Sequence, residues 1–297
     1  MSAMSDMIRE QFGAGDAIRD AGVPDPAGVE RFDDIAYGPD AKWQSLDVYR
    51  PEGTAASDGM PVIVSVHGGG WVYGDKELYH LYCMDLARRG FVVVNFTYRL
   101  APEFKFPASM EDTCAVFNWT VDHIAEYGGD PEKVFAVGDS AGAHMLGLFC
   151  GMCTEEAYRE DFDFAPPAGF KPLAVALNCG AYEIHVSDDP TDLTSGLMGD
   201  FLPNGGDERE LGLINVIRHT NADFPPTYLM TCDGDFLHDG VYAMDAKLGE
   251  LKVMHEVHIF AGKEEPLGHV FHLNMQPTAT DAARCNDDEA AFFRRFL

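Results

Sequence analysis

Short apolar runs alternate with helical patterns along most of the chain. Six runs rich in β-branched or aromatic residues lie at 62–66, 91–97, 134–137, 173–177, 227–231 and 257–260. Runs of this length that are apolar throughout are typical of parallel strands buried on both faces. Helical spacing of apolar residues occupies the intervals, at 78–89, 109–125, 141–153, 241–251 and 281–296. The alternation predicts a doubly wound α/β sheet with right-handed crossovers.

Two earlier strand-like segments, 32–37 and 45–49, have no helix between them. A Gly-Pro-Asp sequence at 38–40 separates the two segments, and such sequences favour tight turns. We therefore expect an antiparallel hairpin at one edge of the sheet.

Two further stretches do not follow the alternation of strand and helix. One is the polar segment 1–30, and the other is 183–224, which includes a predicted helix at 208–219. Long insertions beside a regular sheet are more often functional covers than idle loops, so we assign both to a cap over the carboxyl edge. The predicted organisation is an N-terminal cap segment at 1–30, a core at 31–182 and 225–297, and a cap insertion at 183–224.

The charge and length of the chain exclude several classes of protein. Its 297 residues, of which 46% are hydrophobic, are enough to bury a core, so disorder is excluded. The net charge of -28 disfavours nucleic acid and anionic membranes as partners, because both would repel it. No signal-peptide pattern and no apolar run of about 18 residues is present, so we expect a cytoplasmic protein without a membrane span.

The seven cysteines are predicted to be reduced core residues, because an odd number cannot all pair and most stand in apolar runs. Cys150 and Cys153 form a CxxC pattern inside a predicted helix. No second pair of zinc-ligand spacing accompanies them, so we expect packing and no metal site.

The sequence Gly-Asp-Ser-Ala-Gly at 138–142 lies between a predicted strand and a predicted helix. A tight strand-to-helix turn holds such a serine in strained backbone geometry, with its hydroxyl exposed above the sheet. Small flanking residues remove side chains that would collide there. Ser140 is therefore the candidate nucleophile.

The sequence His-Gly-Gly-Gly-Trp at 67–71 follows the strand predicted at 62–66. Consecutive glycines allow backbone N–H groups to face a ligand, as an oxyanion requires. A phosphate cradle is disfavoured, because no Gly-Lys-Ser/Thr or GxGxxG pattern is present here. We expect His67 to brace this loop rather than to transfer protons.

Four motifs together resemble the hormone-sensitive-lipase-like branch of the α/β-hydrolase fold. They are His-Gly-Gly-Gly at 67–70, Tyr-Arg-Leu-Ala-Pro-Glu at 98–103, Gly-Asp-Ser-Ala-Gly at 138–142 and Asp-Phe-Leu-His-Asp at 235–239. The resemblance extends from about residue 43 to the C-terminus. It implies a mostly parallel eight-stranded sheet with helices on both faces and a small helical cap. It also implies an oxyanion hole made by Gly69, Gly70 and Ala141.

In α/β-hydrolases the catalytic residues follow the chain order serine, acid, histidine. Asp235 opens the segment that resembles the family's acid motif, with Asp233 and Asp239 as its rivals. For the base, the loop residue His269 resembles the family's His-x-Phe pattern. Its alternatives are His272, the runner-up, and the strand residues His255 and His258.

Several other residues lie near these motifs. His144 stands where the family usually has a smaller residue, and its purpose is not evident from the sequence. Arg99 and Glu103 are expected to make buried structural contacts around the oxyanion loop. Three aromatic residues, Trp71, Tyr73 and Tyr182, are expected to bind substrate by lining a short cleft.

The sequence thus predicts a serine carboxylesterase that hydrolyses short acyl esters without a metal or organic cofactor. Its substrate would be a small-molecule ester, and a homodimer is an open possibility. Two alternatives remain: an arylformamidase-type amide hydrolase, and a non-catalytic ligand-binding protein on the same scaffold. The presence of Ser140, Asp235 and His269 disfavours the second of these.

Overall fold

Eight strands form one twisted sheet in residues 2–187, 189 and 192–297, which the computed structural model describes. The strands are β1 Val29–Ala36, β2 Ser45–Pro51, β3 Met60–Val66, β4 Val92–Phe96, β5 Gly129–Asp139, β6 Val175–Asn178, β7 Thr227–Cys232 and β8 His255–Phe260. Their order across the sheet is β1-β2-β4-β3-β5-β6-β7-β8. β1 and β2 are antiparallel to their neighbours, and the other neighbouring pairs are parallel. The predicted α/β sheet and its edge hairpin are confirmed.

Helices cover both faces of this sheet. They are α1 Ala3–Arg19, α2 Lys76–Arg88, α3 Ala108–His123, α4 Ala141–Thr154, α5 Glu156–Arg159, α6 Leu193–Phe201, α7 Glu208–Leu213, α8 Val216–His219, α9 His238–Leu251 and α10 Thr280–Arg294. Apolar side chains of α3, α4 and α9 pack on one face, and those of α2 and α10 pack on the other. None of the described helices combines the length and the apolar character needed to cross a bilayer.

The segments assigned to the cap differ in detail from the prediction. The helix expected at 208–219 is two short helices, because the chain turns at Ile214 and the Asn215 side chain caps α8 by accepting from Arg218 N–H at 2.8 Å. β1 begins at Val29, inside the segment predicted as 1–30. α1 packs against α6, where Ser5 donates a hydrogen bond to Asp200.

The parallel strands bring the sequence motifs to one edge of the sheet. β3 ends just before His67, β5 ends just before Ser140, and β7 ends three residues before Asp235. The carboxyl ends of parallel strands are the usual site of ligand binding in α/β sheets. This edge therefore holds the candidate site.

Candidate active site

Ser140 occupies a sharp turn between β5 and α4. Its backbone has φ 52° and ψ -119°, a conformation that costs a side-chain-bearing residue about 1–3 kcal/mol. The Ser140 N–H donates to the carbonyl of Asn178 at 2.9 Å, which anchors the turn to β6. A Cβ on Gly142 would lie 2.0 Å from the carbonyl oxygen of Val66, so only glycine fits there. The strained turn expected from the sequence is present.

The glycine loop after β3 is held in an unusual backbone conformation. Gly69, Gly70 and Trp71 all have positive φ, at 115°, 60° and 64°. A Cβ on Gly69 would lie 2.1 Å from the carbonyl oxygen of Tyr73, because the loop folds tightly back on itself. This conformation requires glycine at 69 and brings the loop beside Ser140.

Tyr79 and Asp139 tie the glycine loop to the serine turn. The Tyr79 hydroxyl accepts from Gly68 N–H at 2.9 Å and donates to Asp139 Oδ2 at 2.7 Å. Burial raises the pKa of Asp139 to about 7, although the hydrogen bond from Tyr79 opposes this. The loop and the nucleophile turn are therefore joined by a buried hydrogen-bond chain.

His67 lies at the base of the same loop. Its ring stacks on the ring of Tyr98 with centroids 3.9 Å apart, and the Tyr98 hydroxyl donates to the His67 carbonyl at 2.9 Å. Burial lowers the pKa of His67 to about 4, so the ring is neutral at physiological pH. These contacts brace the loop, in agreement with the prediction.

Asp235 and His269 form a hydrogen-bonded pair next to this loop. His269 Nδ1 and Asp235 Oδ1 are 2.7 Å apart, and Asp235 also accepts from the Thr231 hydroxyl and the Leu237 N–H. Burial alone would raise the pKa of Asp235, but the hydrogen bond and charge of His269, with the other two donors, lower it. An ionised Asp235 keeps the proton of His269 on Nδ1 and leaves Nε2 free to accept.

The rival acids and bases have other partners. Asp233 accepts from the backbone N–H groups of Gly262 and Leu267, and Asp239 is exposed in the first turn of α9. His272 is buried against Tyr82, and neither of its ring nitrogens has a hydrogen-bond partner among the described residues. The two strand histidines contact surface carboxylates, His255 with Asp245 and His258 with Glu256.

Ser140 and His269 line one cavity of about 270 Å³. The glycine loop contributes Gly68, Gly69 and Tyr73 to its wall, and Phe236 lies beside the His269 ring with centroids 4.2 Å apart. α1 supplies a further part of the wall, beside Tyr73, through Gln11, Phe12, Gly15, Asp16 and Arg19. The cavity thus brings the candidate nucleophile, the candidate base and part of the glycine loop together.

The three aromatic residues predicted to bind substrate are placed differently from one another. Tyr73 lines the cavity and donates a hydrogen bond from its hydroxyl to Asp16 Oδ2 at 2.9 Å. Trp71 and Tyr182 are buried in the core and are not among the cavity-lining residues. The Trp71 indole points toward His144, and the Tyr182 hydroxyl bonds the Leu177 carbonyl.

Sequence reasoning assigned no binding residue to α1. Phe12, Gly15, Asp16 and Arg19 lie at spacings of three and four, which places them on one face of a helix. That spacing is a signal in the sequence, but it does not reveal which element the face would cover. Glu103 was expected to be buried, yet it is partly exposed and pairs with Arg9 of α1 at 2.6 Å.

A group of three potential metal ligands occurs in the described part of the chain at this site. Donor atoms of Cys179, Asp235 and His269 lie within 4.8 Å of one another. His269 and Asp235 already bond each other directly, and the hydrogen bond to Cys232 together with burial raises the pKa of the Cys179 thiol. These three residues form a hydrogen-bonded Asp235–His269 pair beside a thiol rather than a metal site, because a cysteine binds a metal as its thiolate.

Comparison with known proteins agrees with this geometry. A family model for the alpha/beta hydrolase fold matches residues 63–273. Versiconal hemiacetal acetate esterase of Dothistroma septosporum is 28% identical over 65% of this chain and 62% of its own length. Probable carboxylesterase 1 of Arabidopsis thaliana is 27% identical over 88% of this chain and 85% of its own length. For the first three relatives, the match spans 62%, 48% and 30% of their length.

Comparison with solved structures identifies the same fold over nearly the whole chain. Esterase B from Lactobacillus rhamnosis superposes with a TM-score of 0.87 and 26% identity, covering 99% of this chain and 97% of its own. The carboxylesterase EstE1, at 24% identity and a TM-score of 0.77, shares the fold. With the family model covering most of the chain, the protein belongs to the α/β-hydrolase fold family, among relatives named as carboxylic ester hydrolases.

Proposed function

We propose that the protein is a serine carboxylesterase that works through an acyl-enzyme intermediate. The Ser140 oxygen attacks the ester carbonyl while His269 Nε2 accepts its proton, and Asp235 stabilises the resulting imidazolium. The observation that carries this proposal is the Asp235–His269 hydrogen bond of 2.7 Å at a cavity that Ser140 also lines.

The negative charge that develops on the carbonyl oxygen needs donors fixed before the reaction. We assign this role to the backbone N–H groups of Gly69, Gly70 and Ala141, because Gly69 lines the cavity with Ser140, Gly70 follows it in the loop and Ala141 directly follows Ser140. Fixed donors of this kind act without reorganisation and contribute about 2.7–4 kcal/mol each to transition-state stabilisation. His269 then returns its proton to the departing alcohol, and a water activated by the same histidine hydrolyses the acyl-enzyme.

The size of the cavity supports a preference for short acyl chains. Its volume of about 270 Å³ is below the roughly 300–1,000 Å³ typical of sites for drug-sized ligands. Phe12 and Leu273 narrow it with apolar side chains, and Tyr73 is held in its wall by Asp16. A related protein, esterase B, has been solved inhibited by a tributyrin phosphonate, a compound with four-carbon chains.

The substrate we propose is therefore a small ester rather than a polymer or a lipid surface. The net charge of -28 opposes adsorption to anionic interfaces and to nucleic acid. A cytoplasmic location, a homodimer and the cap boundaries at 1–30 and 183–224 stay predictions.

Labelling of the nucleophile tests this proposal. Ser140→Ala should lose on the order of 10⁶ in turnover of p-nitrophenyl butyrate while the circular dichroism spectrum stays unchanged. A fluorescent phosphonate should label the wild type and not the variant. Labelling of Ser140→Ala at the wild-type rate would exclude Ser140 as the nucleophile, and faster turnover of N-formylkynurenine than of esters would favour an amide hydrolase.

A further inference from the structure

Trp71 follows the two oxyanion glycines in a backbone conformation that is unfavourable for a bulky residue. Its φ of 64° lies in the left-handed region, which costs roughly 1–2 kcal/mol for a residue with a side chain. Such a conformation persists only when surrounding contacts determine it. The contacts of Trp71 therefore bear on where the adjacent Gly69 and Gly70 N–H groups lie.

His144 provides the polar contact that the Trp71 indole makes. The Trp71 Nε1–H donates to His144 Nδ1 at 3.1 Å, and His144 Nε2 lies 2.8 Å from the carbonyl oxygen of Ile214. A carbonyl can only accept, so Nε2 carries the proton and Nδ1 is left as an acceptor for the indole. The bond to Ile214 thus selects the tautomer that Trp71 requires.

The rest of the Trp71 side chain is fixed by packing. Its ring stacks on Phe201 of α6 with centroids 5.0 Å apart and planes 22° apart, and its carbonyl accepts from Ala101 N–H at 3.0 Å. These contacts limit where the ring lies, whereas the hydrogen bond to His144 determines its direction. Trp71→Phe would keep the packing contacts and lose the hydrogen bond to His144.

His144 is also connected to the nucleophile. It lies one turn after Ser140 on α4, and its backbone N–H donates to the Ser140 carbonyl at 3.1 Å. The same residue therefore contacts the helix that presents the nucleophile, the loop that presents the oxyanion donors, and the turn between α7 and α8.

We propose that His144 is a positioning residue that sets the oxyanion loop relative to Ser140 by holding the Trp71 indole. This inference rests on the proposed role of Gly69 and Gly70 in the esterase reaction. His144 is fully buried and is not among the cavity-lining residues, so it acts through Trp71 rather than on the substrate. Burial lowers the pKa of His144 to about 4, so its neutral form holds the loop at physiological pH.

Two substitutions of His144 separate its two hydrogen bonds. Asparagine places its oxygen near the position of Nδ1 and keeps an acceptor for Trp71, whereas glutamine places its amide nitrogen near Nε2 and keeps only the donor to Ile214. Trp71→Phe removes the indole N–H and keeps the aromatic ring against Phe201. The four proteins to compare are wild type, His144→Asn, His144→Gln and Trp71→Phe, together with the double variant Trp71→Phe/His144→Gln.

We expect His144→Gln and Trp71→Phe each to lower kcat for p-nitrophenyl butyrate by roughly ten- to hundredfold, because the oxyanion donors are displaced. KM should change less than about threefold, since the loss falls on the transition state. His144→Asn should keep kcat within about threefold of the wild type. The double variant should be no slower than the slower single variant, because both substitutions break the same hydrogen bond.

Thermal unfolding of each variant identifies any loss of fold, and Trp71→Phe carries the test if His144→Gln does not fold. The inference is overturned if Trp71→Phe keeps kcat within about twofold of the wild type, or if the two losses multiply in the double variant. Equal kcat for His144→Asn and His144→Gln would also overturn it. If Ser140→Ala stays active, the proposed function fails, whatever the His144 variants show.

Discussion

Histidines in this protein differ mainly in what surrounds their rings. His269 has a buried carboxylate on Nδ1 and an open cavity on its other side. His272 lies three residues further on, fully enclosed beside Tyr82, and burial lowers its pKa to about 3. A histidine that is enclosed out of reach of the cavity cannot accept a proton from a nucleophile there.

Replacing each of these two histidines by alanine distinguishes their roles. His269→Ala should reduce kcat by more than about a thousandfold, because the base of a serine hydrolase is lost. His272→Ala should lower the melting temperature by opening a core cavity, yet keep more than about a tenth of kcat per active molecule. Titration with a phosphonate counts the active molecules. The opposite pattern of activity would make His272 the base.

At the scale of elements, the parts that follow β3, β5 and β7 were predictable, because short-range motifs specify them. The glycine loop, the serine turn and the Asp235 loop each depend on residues within a few positions of one another. The direction of the Trp71 side chain depends on His144, 73 residues later in the chain, and periodicity carries no such information. α7 and α8 are separate helices with Asn215 as the cap of α8, and the helical spacing of apolar residues at 208–219 does not reveal this cap.

The wall supplied by α1 leads to a prediction about acyl-chain length. On a series of p-nitrophenyl esters, kcat/KM of the wild type should peak between about two and six carbons. Phe12→Ala should move this optimum toward longer chains, because it removes an apolar side chain from the cavity wall. Ile18→Ala is the matched control, since Ile18 lies on the same helix, is 78% exposed and is not among the lining residues. An optimum that stays in place in Phe12→Ala would remove α1 from the specificity pocket.

For the whole molecule, charge is unevenly placed between surface and interior. Most of the 49 acidic residues are solvated, but Glu289 of α10 is fully buried. It accepts hydrogen bonds from Asn178 Nδ2 and the Tyr82 hydroxyl, both at 2.8 Å. Burial raises the pKa of Glu289 from 4.5 to about 7, although these two hydrogen bonds oppose the shift.

The raised pKa of Glu289 makes the stability of the fold depend on pH. The folded protein holds an extra proton between pH 4.5 and about 7, so the stability from this group is present below pH 4.5 and is lost as pH rises through 7. Glu289→Gln removes this dependence, and Asn178 can turn its amide to accept, because its Oδ1 has no partner among the described residues.

The free energy of unfolding of Glu289→Gln minus that of the wild type should therefore increase between about pH 4.5 and pH 7 and level off above that pH. Between these two pH values the slope should approach about 1.4 kcal/mol per pH unit, the limit for one proton. Urea denaturation at a series of pH values measures this difference. Glu264→Gln, which alters an exposed carboxylate, is the control. A difference that does not vary with pH would contradict the buried, protonated carboxyl.

The position of α1 has an evolutionary consequence. The α/β-hydrolase match begins at residue 63, yet part of the wall of the cavity that Ser140 lines is built from residues 11–19. Part of the cavity wall is therefore encoded in a separate stretch of the gene from the candidate catalytic residues. Substitution or recombination in the stretch that encodes α1 would change this wall without touching the loops that follow β3, β5 and β7. Relatives that share the matched region can thus share a mechanism and still differ in their metabolic roles.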